Sequence, residues 1–194
     1  MLVLASASPR RQELLRNAGI PFTVQPADVP ELPQEAESPR NCAERLAREK
    51  ALAVFRQRPE VCVLGADTIV FVEHQILGKP RDPDDAFRML RLLSGRVHQV
   101  ITGVCLLGPR AAHQEVRSGF EDVRSETTLV RMELLSDDEI RDYVATGEPM
   151  DKAGAYAIQG RASRWISRIE GDYFNVVGLP VSLVFRMLHE RGCV

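Results

Sequence analysis

Lysine is scarce in this chain. Of its 25 basic residues only three are lysines, Lys50, Lys79 and Lys152, and arginine supplies the rest. Codon bias is one source of a low lysine count, but it does not account for where the survivors sit. Lysine is a compact point charge on a flexible stem, whereas arginine is a rigid planar fork. Cysteine is also sparse: Cys42, Cys62, Cys105 and Cys193 lie far apart with no CxxC pair, so neither a disulfide framework nor a zinc site is expected. His74, His98, His113 and His189 are scattered, and no HExxH occurs. No apolar run reaches the roughly 20 residues that a membrane span needs. The N-terminus lacks the basic start and long apolar region of a signal peptide. Excess charge is missing too: the formal net charge is −2, so no global field draws nucleic acid or an anionic membrane, and any anion site must be built locally. A cytoplasmic protein with neither nucleic-acid nor membrane partners is expected. What is present is ordinary for a globular chain: 194 residues, 44% hydrophobic and 27% charged. That length suits one domain, or two tightly joined lobes sharing a core.

The pattern of elements is mixed α/β. Met1 to Ala5 reads as a short buried strand. Ser8 and Pro9 open a helix that stops at Gly19. The proline-rich acidic stretch PADVPELPQEAESP is a loop, and a helix follows from about Pro39 to Phe55. Val61 to Leu64 reads as a second buried strand ending at GADT. Ile69 to Val72 and Ile76 to Leu77 read as a hairpin. Asp82 and Pro83 start a helix that ends near Gly95. Val97 to Leu107 and Thr127 to Leu135 read as long strands. The segment SDDE, Ser136 to Glu139, is a capping box for a helix reaching Ala145. Trp165 to Ile169 reads as a strand, and Pro180 opens a terminal helix. Residues 111–126, AAHQEVRSGFEDVRSE, carry no motif and are expected to connect two strands.

Five features bear on chemistry. In LASASPRRQELL a strand hands over to a helix through small residues. The free N–H groups and dipole of a helix start favour anions. Ser6, Ala7 and Ser8 let the backbone approach, and Arg10 and Arg11 add forks that match phosphate oxygens. The plain alternative is that both arginines are merely solvated, although cations are disfavoured at a helix start by about 0.3–1 kcal/mol. Lys50 lies on the apolar stripe Ala43, Leu46, Ala47, Ala51 and Val54. It either faces an anionic partner, since an inward charge needs one, or snorkels at the stripe's edge. Asp67, in VLGADTIV, sits where a strand is expected to end, a common place for ligand chemistry, or it is a turn residue. Lys79, in GKPRD, is a further cation or a turn lysine. Asp151, Lys152, Gln159, Asp172 and Asn175 lie in glycine-containing segments that are either functional or packing devices. An acidic centre with scattered cations and tight loops suits hydrolysis of a polyphosphate with a divalent metal.

The blocks LASASPRRQELL, LAREKA, LGADTIV, GKPRD, LSGRVHQVITGV, GEPMDKAGAYAIQG and GDYFNVVGLP resemble the Maf family of nucleoside triphosphate pyrophosphatases. They run in the family order from Leu4 to about Leu188. The resemblance implies a single domain over residues 1–194, with a mixed central sheet, flanking helices and two lobes around a cleft, related to the inosine triphosphate pyrophosphatases. It implies hydrolysis of a nucleoside triphosphate to monophosphate and pyrophosphate with Mg²⁺ or Mn²⁺, and a homodimer. By position, Asp67 matches the catalytic acid/base aspartate, as proton acceptor or metal ligand. Ser8, Arg10, Arg11, Lys50 and Lys79 match substrate-binding positions, and Glu31 matches a metal-linked glutamate. Arg10, Thr68 and Gln159 match the trio of the branch acting on dTTP and UTP. Two other readings remain open: an enzyme for 7-methyl-GTP or a non-canonical purine nucleotide, and a non-enzymatic regulator of septum formation.

Overall fold

The computed structural model describes residues 1–109 and 119–193. Its strands are β1 (Leu2–Leu4), β2 (Phe22–Val24), β3 (Cys62–Val72), β4 (Gln75–Leu77), β5 (Val97–Gly108), β6 (Phe120–Met132) and β7 (Ile166–Glu170). They form one sheet in the order β2-β1-β3-β5-β6-β7, with β4 paired to β3 off that path. The sheet is mixed: β1 is parallel to β2 and β3, whereas the β3–β4 and β6–β7 pairs are antiparallel. The helices are α1 (Pro9–Asn17), α2 (Pro39–Phe55), α3 (Pro83–Leu93), α4 (Asp137–Ala145), α5 (Tyr173–Val177) and α6 (Val181–Glu190). The expected α/β class with a mixed sheet and flanking helices is therefore observed. Among the described residues no helix is long and apolar enough to cross a membrane.

The chain divides into two compact units. The first comprises Met1–Asp67, Thr102–Glu126 and Gly178–Val194, and the second Thr68–Ile101 and Thr127–Val177. In the first unit Val3, Ala5, Ala47, Ala51, Val54, Val63 and Cys105 form a buried core. Two glycines decide how closely α2 lies on the sheet. A Cβ at Gly65 would overlap the Ala47 carbonyl and come within 2.9 Å of the Ala51 methyl. A Cβ at Gly103 would overlap the backbone of Ala43. Ala43, Ala47 and Ala51 recur every four residues, so they share one helix face, and that face rests on the two glycines. In the second unit α3, α4 and the sheet enclose Leu90, Leu93, Val130, Ile140, Tyr143 and Trp165. The β3–β4 hairpin turns through Glu73 and His74, both left-handed (φ 44° and 64°), as the twist of a tight hairpin demands. The capping box at Ser136 and Glu139 is present at the start of α4.

Three expectations are corrected. The strand expected to end before GADT continues without a break, so Val61–Leu64 and Ile69–Val72 are parts of the single strand β3. Gly65 is small because α2 presses on it: a Cβ there would overlap the Ala47 carbonyl. The second long strand starts at Phe120, not Thr127, so only 111–119 of the expected connection remains, of which 111–118 lie outside the described residues. Cys62 and Cys193 form a disulfide, with Cα atoms 6.4 Å apart, while Cys42 and Cys105 are buried free thiols. Their separation of 131 residues hides the pairing from any local spacing argument; the fold brings the chain after α6 back to the first residue of β3.

Candidate active site

The close seat of α2 on β3 creates the central feature of the first unit. Gly65 and Asp67 are two residues apart on a strand and so face the same side. That side meets α2 next to Lys50. Lys50 Nζ donates to Asp67 Oδ1 at 2.5 Å and to Glu31 Oε1 at 2.5 Å. The Lys50 and Asp67 side chains are 7% and 8% exposed, whereas Glu31 is 36% exposed. The inward position of Lys50 on the apolar stripe is thus observed, and its anionic partners are Asp67 and Glu31. A dehydrated ammonium needs such partners, because burying an unpaired charge is very costly.

Glu31 comes from the acidic loop, and α2 holds that loop. Arg45 makes a fork-on-fork pair with Glu37, Nε to Oε1 at 2.7 Å and Nη2 to Oε2 at 2.8 Å. The same Nη2 donates to the carbonyl of Leu32 at 3.0 Å, one residue past Glu31. The hydrogen bonds from Arg45 draw the Glu37 carboxyl down to about 2. Arg45 is a site-building residue that the sequence analysis does not name. Its only local signal was the i,i+4 spacing to Glu49, which it also contacts.

At the start of α1, Ser8 is the N-cap and accepts the Arg11 N–H, with Pro9 in the first turn. Arg10 is half-buried there, and Arg11 is buried. Arg11 Nε donates to the Gly178 carbonyl at 2.8 Å, and Nη1 donates to Ser6 Oγ at 3.2 Å and to the Ala66 carbonyl at 2.9 Å. Arg11 therefore grips the backbone immediately before Asp67. Burial lowers its guanidinium below the ordinary arginine range, opposed by the charges of Asp67 and Glu31. Arg11 is therefore not a casual surface charge.

Thr68, Lys79 and Gln159 belong to the second unit. Thr68 is half-buried on β3; Lys79 is exposed between β4 and α3; Gln159 is exposed in the turn that follows Tyr156. Other residues singled out from the sequence have local bonding roles in that unit. Lys152 Nζ donates to the Glu148 carbonyl at 2.7 Å and pairs with Asp151. Asn175 is buried and donates to the Val100 carbonyl and Thr128 Oγ1, each at 3.0 Å. Asp172 Oδ1 accepts the Phe174 N–H.

The donor set can be tested against a divalent cation. Among the described residues no group of three or more His, Cys, Asp or Glu side chains is placed to hold a metal ion, so a closed protein cage is not what this site offers. Glu31 and Asp67 do supply two carboxylates on one cationic centre. That fits Mg²⁺ or Mn²⁺, hard ions bound through one or two carboxylates plus water and substrate phosphates.

A mixed α/β protein that converges a lysine, two carboxylates and a capped helix start carrying two arginines is of the class that handles multiply charged anions. A family model described as Maf-like protein matches residues 1–191. The chain belongs to the Maf family. It is 56% identical over 191 residues to a protein of Koribacter versatilis named dTTP/UTP pyrophosphatase, covering 98% of this chain and 94% of that one. A protein of the same name from Symbiobacterium thermophilum is 54% identical over 191 residues, with 98% and 94% covered. A third, from Syntrophomonas wolfei, is 51% identical over 189 residues, with 97% and 96% covered.

Proposed function

We propose that this chain is a nucleoside triphosphate pyrophosphatase that hydrolyses dTTP and UTP to the monophosphate and pyrophosphate. The carrying observation is the buried Asp67–Lys50 pair with Glu31 on the same ammonium. The names of relatives at 51–56% identity over nearly the full length support the substrates.

In this reading the Asp67 carboxylate takes a proton from the attacking water. The new bond forms between that water oxygen and the α-phosphorus. The bond from the α-phosphorus to the bridging oxygen breaks, and pyrophosphate leaves with the bonding electrons. Lys50 and Arg10 counter the charge that gathers on the phosphate oxygens, and Lys79 adds to this. Arg11 fixes the Ala66 carbonyl, and so the strand at Asp67, while its own charge favours the anion. Ser8 and the first N–H groups of α1 receive phosphate oxygens. Glu31 and Asp67 would hold the divalent cation, which supplies charge neutralisation and Lewis-acid polarisation of the phosphoryl group. Thr68 and Gln159 read the base. An amide both donates and accepts, so it can pair with the O4 and N3–H edge that thymine and uracil share. The chain acts as a single-domain cytoplasmic homodimer.

The test is pyrophosphate release from dTTP, UTP, CTP, GTP, ITP and 7-methyl-GTP with Mg²⁺ or Mn²⁺. Turnover concentrated on dTTP and UTP is expected. Turnover of a purine nucleotide alone would keep the chemistry and overturn the base reading. No turnover of any of them would overturn the proposal.

A further inference from the structure

The turn that carries Gln159 is built from the far side by a polar pair outside the residues assigned so far. Glu148 follows Gly147, which turns the chain after α4 in the left-handed conformation (φ 74°). The Glu148 carboxylate accepts the Arg161 N–H at 3.0 Å through Oε1 and at 3.3 Å through Oε2. Tyr143 on α4 donates its hydroxyl to Glu148 Oε1 at 2.8 Å, and the same hydroxyl oxygen accepts the Ala157 N–H at 3.3 Å. Ala157 and Arg161 bracket Gln159, and Gly160 N–H closes the turn on the Ala157 carbonyl at 3.0 Å. Gly160 leaves room for the carboxylate: a Cβ there would overlap Glu148 itself. The pair is in turn anchored. The Tyr143 ring is buried against Trp165 in an edge contact, centroids 5.4 Å apart, and Lys152 holds the Glu148 carbonyl at 2.7 Å. Gln159 is exposed, so its aim depends on its backbone, and that backbone is gripped at both ends by one carboxylate and one phenol.

We propose that Glu148, seated by Tyr143, is a positioning residue for base selection: it sets the turn Ala157–Arg161 so that the Gln159 amide meets the pyrimidine edge. The inference rests on the reading that Gln159 recognises the base. Glu148 touches neither the phosphates nor Asp67 in this account, so its loss should weaken discrimination and leave the chemical step alone.

The experiment compares kcat and KM on dTTP and CTP for wild type, Glu148→Ala, Glu148→Gln, Gln159→Ala and the Glu148→Ala/Gln159→Ala double variant, with thermal midpoints for each. Glu148→Ala should raise KM for dTTP about tenfold, the factor that corresponds to ~1.4 kcal/mol, the size of a lost hydrogen bond, with kcat nearly unchanged. The dTTP preference over CTP should fall by the same factor. Glu148→Gln keeps one oxygen acceptor for the Arg161 N–H and should restore most of that preference. In the Gln159→Ala background, Glu148→Ala should lower the preference no further, because the two act through one amide. If Glu148→Ala does not fold, Glu148→Gln and Tyr143→Phe carry the comparison, each expected to shift the preference in the same direction by less. Equal loss on dTTP and CTP, a loss in kcat with KM unchanged, or full additivity with Gln159→Ala overturns the positioning role alone. An unchanged preference in Gln159→Ala overturns the base reading and this inference with it.

Discussion

Replacing Lys50 by methionine removes an ammonium that two carboxylates share at hydrogen-bond distance. The consequence can be sized from exposure. Lys50 and Asp67 are 7% and 8% exposed, and Glu31 is 36% exposed. The Asp67 contact is therefore dehydrated, while the Glu31 contact is open to screening. Removing one partner of a buried ion pair costs about 3–5 kcal/mol, because the other charge is left stranded. A solvent-screened pair contributes only about 0–1 kcal/mol. The methionine keeps the stem packed against the α2 stripe, so no cavity adds to the loss. The expected destabilisation is about 3 kcal/mol, carried almost wholly by Asp67. For a chain of this length each kcal/mol moves the thermal midpoint by about 2–4 °C, so the midpoint should fall by about 6–12 °C. The cause assigned is the charge left on Asp67, and that is separately testable. Adding Asp67→Asn to Lys50→Met should return at least half of the loss, measured by thermal and urea unfolding of wild type, both single variants and the double. A Lys50→Met midpoint within about 2 °C of wild type refutes the burial argument. A double variant no more stable than Lys50→Met refutes the stranded charge.

Three other outcomes follow from the same geometry. Lys50→Arg should lower dTTP turnover by about 10²-fold or more, because a planar guanidinium cannot occupy the point position of an ammonium held between two carboxylates; Lys79→Arg should lower it too, because a planar fork does not replace a compact point charge, and wild-type turnover in both would show that charge alone suffices. Gly65→Ala should destabilise the chain by about 3 kcal/mol or prevent its accumulation, since the new methyl overlaps the Ala47 carbonyl and must push α2 off β3; a wild-type melting curve would contradict the close seat of α2. Burial lowers the His98 imidazole to about 4. Its folded value lies below its ordinary value of 6.5, so the unfolded chain takes up the proton first. The stability it confers, about 3 kcal/mol at most, is complete above about pH 6.5 and is lost as the pH falls toward about 4. Urea midpoints across that window should fall more steeply for wild type than for His98→Gln, and equal slopes would contradict the assignment.

What could be read from the sequence was set by how local each determinant is. Helix starts were legible because their caps lie within a few residues: Ser8 with Pro9, Asp82 with Pro83, and Ser136 with Glu139 all sit where expected. The inward lysine was legible because a 3.6-residue period places Lys50 among Ala43, Leu46, Ala47 and Ala51. Asp67 stands out by its place after an apolar run and Glu31 only by resemblance to the family, and only the fold puts both on one ammonium. The strand setting of Asp67 was misread for a definite reason. Glycine before an aspartate has the same local signature in a turn and beneath a tightly packed helix, and only the position of α2 separates the two. Arg45 and Glu148 were missed because their partners, the Leu32 carbonyl with Glu37 and the 157–161 turn, are backbone and side-chain groups that chain spacing does not pair. The Cys62–Cys193 bond was missed on the same ground, at a far larger separation.

The central claim is water attack at the α-phosphorus of dTTP with Asp67 as the group that takes the proton. The most direct measurement runs wild type and Asp67→Asn with dTTP and Mg²⁺ in heavy-oxygen water and follows both the rate and the label by mass spectrometry. The account requires one pyrophosphate per turnover, the heavy oxygen in dTMP and none in pyrophosphate, and a rate reduced about 10²–10⁴-fold by Asp67→Asn, the range that a positioned general base supplies. Heavy oxygen in pyrophosphate, or an Asp67→Asn variant that turns over dTTP at the wild-type rate, would contradict it.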